Sequence, residues 1–205
     1  FEKEHPEWGM PFGLPALAPA EVGLLKKWLQ QGAPAEGPQP LTPALQAQVD
    51  AWERFLNGPS PKERLMSRYL YEHLFLGHLI FADDAEHRSF RIVRSLTAPG
   101  TPTQIVATRR PYDDPGVPRV YYRLEPERET IVAKTHMPYA LDANRMARWN
   151  ELFFTPNYPV DKLPGYAPEL AANPFKTFAA LPARSLLPGG CSACSTPGWT
   201  RRCRC

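Results

Sequence analysis

Ser60-Pro61-Lys62-Glu63-Arg64-Leu65-Met66-Ser67-Arg68-Tyr69-Leu70-Tyr71-Glu72-His73-Leu74-Phe75-Leu76-Gly77-His78-Leu79-Ile80-Phe81 joins the clearest helix start in the chain to its densest apolar run. Ser60 is a hydroxyl N-cap, Pro61 suits the first helical position, and Glu63 can reach back to the cap amide. Leu65, Met66, Tyr69, Leu70, His73, Leu74 and Leu76 then recur at helical spacing. The apolar band widens towards Phe81, and the pattern predicts a helix over 60–82, stopped at Asp83-Asp84 and buried on most sides in its second half. Upstream, Gln46, Val49, Trp52, Phe55 and Leu56 define an amphipathic helix over 43–57, broken by Asn57-Gly58-Pro59. Two helices joined so tightly should pack as a hairpin.

The 205-residue chain is 43% hydrophobic and 22% charged, an ordinary globular balance that can bury a core. Its 25 prolines are well above average usage and predict short helices and long ordered loops. A net charge of +3 with mixed signs gives no footprint for a polyanion, so no nucleic-acid partner is expected. Glu72, His73 and His78 interrupt the best apolar run well short of the roughly 18–20 residues that span a bilayer. No export signal opens the chain, which reads as an internal or processed piece of a longer protein.

After Asp84 the pattern turns to period two. Arg88 to Ser95, Thr103 to Thr108, Arg119 to Leu124 and Glu129 to Lys134 predict four short strands within 88–134, connected by Pro99-Gly100, Asp114-Pro115-Gly116 and Glu125-Pro126-Glu127 as an antiparallel meander. Asp142 can cap a helix over 142–154, with Met146, Trp149 and Phe153 on its apolar face. Asn173-Pro174 can start one helical turn. Near the start, Pro19-Ala20-Glu21 opens a short amphipathic helix that Gln31-Gly32-Ala33-Pro34 stops, and a Pro/Gly-rich linker follows. From about 185 onwards an aperiodic Cys-rich tail, 185–205, reads as out of frame.

Several side chains are candidates for chemistry. On a helix, His73 and His78 stand five residues apart and point about 140° from each other, so they cannot grip one metal; read alone, both are hydrogen-bonded core or boundary histidines. Lys134-Thr-His136-Met-Pro leaves a strand through a turn and presents a third histidine. Arg109 and Arg110, followed by Asp113 and Asp114 across a proline turn, form a fork for a carboxylate or phosphate head group, or else an internal Arg–Asp lattice. Cys191-Ser-Ala-Cys194-Ser195 has serine where haem attachment by C-x-x-C-H needs its histidine. The loop Trp8-Gly-Met10-Pro-Phe-Gly-Leu-Pro15, followed by a helix ending Trp28-Leu-x-x-Gly-Ala-Pro34, resembles the C-terminal part of a class I cytochrome c. Met10 would there be the distal thioether on haem iron; read alone, it is a gap-filling core residue.

Taken together, Glu7-Trp-Gly-Met-Pro-Phe-Gly-Leu-Pro15, Trp28 to Pro34, Ser67-Arg-Tyr-Leu-Tyr-Glu-His-Leu-Phe-Leu-Gly-His78, Ala107-Thr-Arg-Arg-Pro-Tyr-Asp-Asp-Pro-Gly116, Glu129 to Asp142 and Leu163-Pro-Gly-Tyr166 are similar to the bacterial fatty acid cis/trans isomerases. The likeness runs from residue 1 to about 184. It implies a periplasmic enzyme with covalent haem c that converts cis unsaturated acyl chains of membrane lipid to trans, without moving the double bond. Met10 becomes the possible distal haem ligand, Arg109 and Arg110 the head-group contacts, and His73, His78 and His136 the catalytic candidates, with no role assigned to them by the match. The haem attachment motif is not in this chain, so a fragment inactive alone is expected. The expected fold is α+β: a cytochrome-c-like piece over 1–36, and part of the isomerase domain over 37–184 with a helical hairpin, a small antiparallel sheet and long Pro-rich loops. The partner is a membrane phospholipid or unsaturated fatty acid met by peripheral membrane contact. Alternatives of other classes are an electron-transfer cytochrome module and a non-catalytic lipid-binding module.

Overall fold

The computed structural model describes residues 3–5, 8, 17–34, 40–84, 88–127, 137–171 and 173–186, and the chain divides into two compact units, Phe1–Pro40 and Leu41–Cys205. In the first unit, α1 (Pro19–Gln30) starts with proline at the first helical position. The Ala18 amide donates to Glu21 Oε2 at 2.7 Å. Its end is set by Gly32, at φ 83°, and by the Trp28 Nε1 donation to Pro34 O at 2.8 Å. α1 buries none of its residues.

The second unit holds α2 (Pro43–Leu56), α3 (Pro61–Leu74), β1 (His78–Ile80), β2 (Ser89–Ser95), β3 (Tyr121–Pro126), β4 (Pro138–Ala140), α4 (Ala143–Phe154), α5 (Pro168–Ala171), α6 (Pro174–Thr177) and α7 (Ala183–Leu186). It is α+β. The caps at Ser60, Asp142 and Asn173 stand where the sequence places them, and Thr42 adds one for α2. Thr42 accepts from the Leu45 amide, Asp142 from that of Arg145 and Asn173 from that of Lys176. Ser60 and Glu63 form the reciprocal capping box.

α3 corrects the expected helix over 60–82. It ends at Leu74, a turn follows, and Gly77 donates its N–H to Leu74 O at 2.9 Å. A Cβ on Gly77 would stand 3.3 Å from that same oxygen, a close approach that glycine relieves. His78-Leu79-Ile80 is therefore the strand β1. Its apolar run is continuous because β1 lies inside the sheet, between β2 and β4, where both faces are covered. A short apolar run of this kind looks the same in a buried helix and a buried strand.

The sheet corrects the expected meander. Its order is β3-β2-β1-β4; β2 pairs antiparallel with β1 and β3, but β1 and β4 run parallel, with Leu79 opposite Tyr139. The expected strand 103–108 is reduced to a bridge between Ser95 and Ile105, while the expected strand 129–134 lies outside the described residues.

The helices cover the sheet through one core. Trp52 meets Trp149 edge-on at 5.3 Å, and Phe81 meets Phe90 edge-on at 5.2 Å. Tyr69 bridges α3 to Phe153 and Phe178. A buried ion pair ties α2 to β3: Arg123 Nε donates to Glu53 Oε2 at 2.7 Å, and the Leu124 amide donates to Oε1 at 2.9 Å. Desolvation pushes the Glu53 carboxyl above its usual range, against the opposing pull of the Leu124 amide and Arg123.

Candidate functional site

The turn that ends α3 also opens a groove. Phe75, Leu76 and His78 enter it from the α3–β1 connection, Arg91 and Arg94 from β2, Ile105 and Thr108 from the bridged loop, and Met137 from the start of β4. Its volume is about 620 Å³, within the roughly 300–1,000 Å³ of small-molecule sites. Phe75, Leu76, Ile105 and Met137 are all exposed large apolar side chains. Gathered around one concavity, they form the kind of patch that marks a binding surface.

Two of the polar groups that line the groove are held firmly in place. His78 Nδ1 lies 2.7 Å from Glu127 Oε2, both side chains being largely buried. A carboxylate on one ring nitrogen fixes the tautomer and orientation of the imidazole. The second is Arg94, 1% exposed. Its Nη1 donates to Asp113 O at 2.9 Å and its Nη2 to Thr108 Oγ1 at 2.5 Å. Thr108 Oγ1 in turn donates to Arg110 O, and the Arg110 amide donates to Asp113 Oδ2. Arg94 thus pins the loop from below. Met137 stands at φ 47°, a conformation uncommon for a side-chain-bearing residue, with its carbonyl accepting from the His78 amide.

The sequence candidates distribute unevenly over this geometry. His78 lines the groove, but from a strand, which corrects its placement on the helix. His73 does not line it: its Nδ1 lies 2.8 Å from Tyr69 O on the preceding helical turn, and its ring packs on Tyr69 and Phe178. Arg109 and Arg110 are exposed on the loop that Arg94 pins, and neither forms an ion pair with Asp113 or Asp114 among the described residues. The lattice that locks this loop is built from Arg94 and backbone carbonyls instead. Met10 and His136 lie outside the described residues. Glu127 and Arg94 were not singled out from the sequence. Their one visible signal is a charge inside or beside a strand pattern, which is common on solvated strands as well.

Among the described residues, no group of three His, Cys, Asp or Glu is placed to hold a metal ion, and no helix is long and apolar enough to cross a membrane. No curated protein and no solved structure matches the chain. A family model described as fatty acid cis/trans isomerase matches residues 1–187, nearly the whole chain and with it every residue of the groove, so the chain belongs to the fatty acid cis/trans isomerase family.

Proposed function

We propose that the protein isomerises cis unsaturated acyl chains of membrane lipid to trans, and that the groove beside β2 receives the acyl chain. The observation that carries this reading is the apolar rim of Phe75, Leu76, Ile105 and Met137 around a 620 Å³ concavity in a member of this family. Rotation about a carbon–carbon double bond moves no atom to or from the substrate. The tasks left to this chain are to hold the alkene, keep water from it and orient the head group. The apolar rim performs the first two. Arg109 and Arg110, on the loop that continues from Thr108 at the groove, meet the head-group phosphate or carboxylate. His78, held by Glu127, is the polar group of the groove wall nearest in kind to a catalytic residue. His136 directly precedes Met137 in sequence and is retained as a further candidate, whereas His73, engaged with Tyr69 and Phe178, acts as packing.

The resemblance also implies haem c, periplasmic location and a cytochrome-c-like first unit. In this proposal haem is held by residues outside the described set, with Met10 as distal thioether; a Met10→Leu variant of the haem-loaded protein with an unchanged ferrous spectrum would overturn that assignment.

Binding of cis-parinaric acid to the full chain, read by its fluorescence and displaced by oleate, tests the groove. Ile105→Glu and Leu76→Glu are expected to weaken it about tenfold by placing a carboxylate against the chain. Arg109→Gln with Arg110→Gln should lower binding to anionic vesicles about fivefold for each charge removed. Unchanged binding in the groove variants rejects the site. Reduction by a redox partner with lipid geometry unaltered, followed by gas chromatography of the acyl chains, would favour an electron-transfer module instead.

A further inference from the structure

A second cavity, of about 230 Å³, opens nearer the start of α3, between the α2–α3 connection, the Pro115–Val120 segment and the Leu163–Tyr166 loop. Its wall contains three arginines, Arg64, Arg68 and Arg119, and neither aspartate nor glutamate. The rest is mainly apolar, with Leu56, Val117 and Leu163 among it. Unlike the groove, it is too small for an acyl chain and the right size for a compact polar group with a few waters.

Arg68 is the reason to regard it as a built site. The residue is 5% exposed. Its Nε donates to Glu72 Oε1 at 2.7 Å, and its Nη1 to Pro164 O at 2.7 Å and Gly165 O at 3.1 Å. The guanidinium carbon sits 3.8 Å from the centre of the Tyr166 ring, which covers one face. Nη2 is buried with no hydrogen-bond partner. A guanidinium has five N–H donors, and three are satisfied with good geometry while the two on Nη2 are left over. An orphaned, charged donor inside a protein is costly unless a partner arrives.

Charge adds to this. Burial pushes the Glu72 carboxyl up, against the opposing pull of its bond with Arg68. Arg64 has no ion-pair partner among the described residues, and the only ring contact of Arg119 there is with Tyr121. Three arginines therefore line one small, largely apolar cavity, Arg68 buried, Arg64 half-buried and Arg119 at the exposed rim.

We infer that this cavity binds an oxyanion, a phosphate or carboxylate group, with Arg68 as the buried guanidinium of its wall and Arg64 and Arg119 closing over it. The chemistry is shared by a free anion and by a lipid head group. The site is separate from the acyl groove and stands or falls independently of it.

The test is phosphate binding by the full chain, read by phosphorus NMR line broadening and by the rise in Tm that a ligand of the folded state produces. Wild type is expected to bind inorganic phosphate, and Arg64→Gln and Arg119→Gln each to weaken it about tenfold and flatten the Tm rise. Arg148→Gln, a change on the exposed face of α4, should leave both readouts as in wild type. Displacement of phosphate by short-chain phosphatidylglycerol below its micelle concentration would assign the anion to a lipid head group, and phosphate binding that this lipid leaves in place to a free anion; either supports the site. Arg68→Gln is not needed for the decision, because its bonds to Pro164 and Gly165 also hold the fold. No phosphate binding by wild type, or binding that Arg64→Gln and Arg119→Gln leave unchanged, overturns the inference and leaves Nη2 to ordered water.

Discussion

Arg123 and Arg94 lie on neighbouring strands and are both buried, yet their surroundings differ in kind. Arg123 meets a carboxylate, Glu53, and two carbonyls, those of Ala98 and Thr101, and none of its buried nitrogens is left without a partner. Arg94 meets a carbonyl and a hydroxyl, has no carboxylate on its guanidinium, and keeps Nε unpartnered. The first arrangement closes a joint between α2 and β3. The second holds a loop at the edge of an open groove and leaves one buried donor over, as Arg68 does at the smaller cavity. Complete pairing thus marks where the fold is fastened, and incomplete pairing marks the two concavities to which a ligand can come.

The contrast can be broken most directly at its closed end. Glu53→Ala strands a buried guanidinium and the Leu124 amide, and about 3–5 kcal/mol of stability should be lost in urea denaturation. A loss below about 1 kcal/mol would mean that Arg123 is no more fastened than Arg94. Arg94→Met keeps the stem and removes the donors, and should cost less, about 1–3 kcal/mol. Proteolysis should then concentrate in the Thr108–Asp113 loop. If the two substitutions cost the same, the distinction between joint and groove fails.

The smallest effect concerns pH. Burial raises the Glu72 carboxyl, so above the ordinary carboxylate range the folded state binds more protons than the unfolded one. The contribution of Glu72 is therefore most favourable at low pH and is lost as pH rises through its raised folded value. Glu72→Gln removes this titration. The difference in unfolding free energy between wild type and Glu72→Gln should fall with rising pH across that window; a flat difference would place Glu72 in an ordinary solvated pair with Arg68.

Much of the helical layer was legible because its signals are local. Ser60, Thr42, Asp142 and Asn173 each cap a helix through an amide three residues away. The end of α3 was not legible, since Leu79-Ile80-Phe81 suits a buried helix as well as a buried strand, and the choice was made by β2 and β4 lying on either side. The site was legible only in pieces. His78 was named, but Glu127 lies 49 residues further on, and Arg68 finds its carbonyls 96 and 97 residues away. No spacing rule spans such separations.

By itself, the sequence determined the α+β class, the caps, the apolar faces of α2, α3 and α4, and the membership in the fatty acid cis/trans isomerases, because each of these is written in neighbouring residues or in motifs that keep their order. The tertiary structure alone decided that β1 replaces the end of the helix, that β4 joins it in parallel, which arginines are buried, and where the two concavities open. Those outcomes depend on which distant groups share a low-dielectric interior, and only packing brings them together.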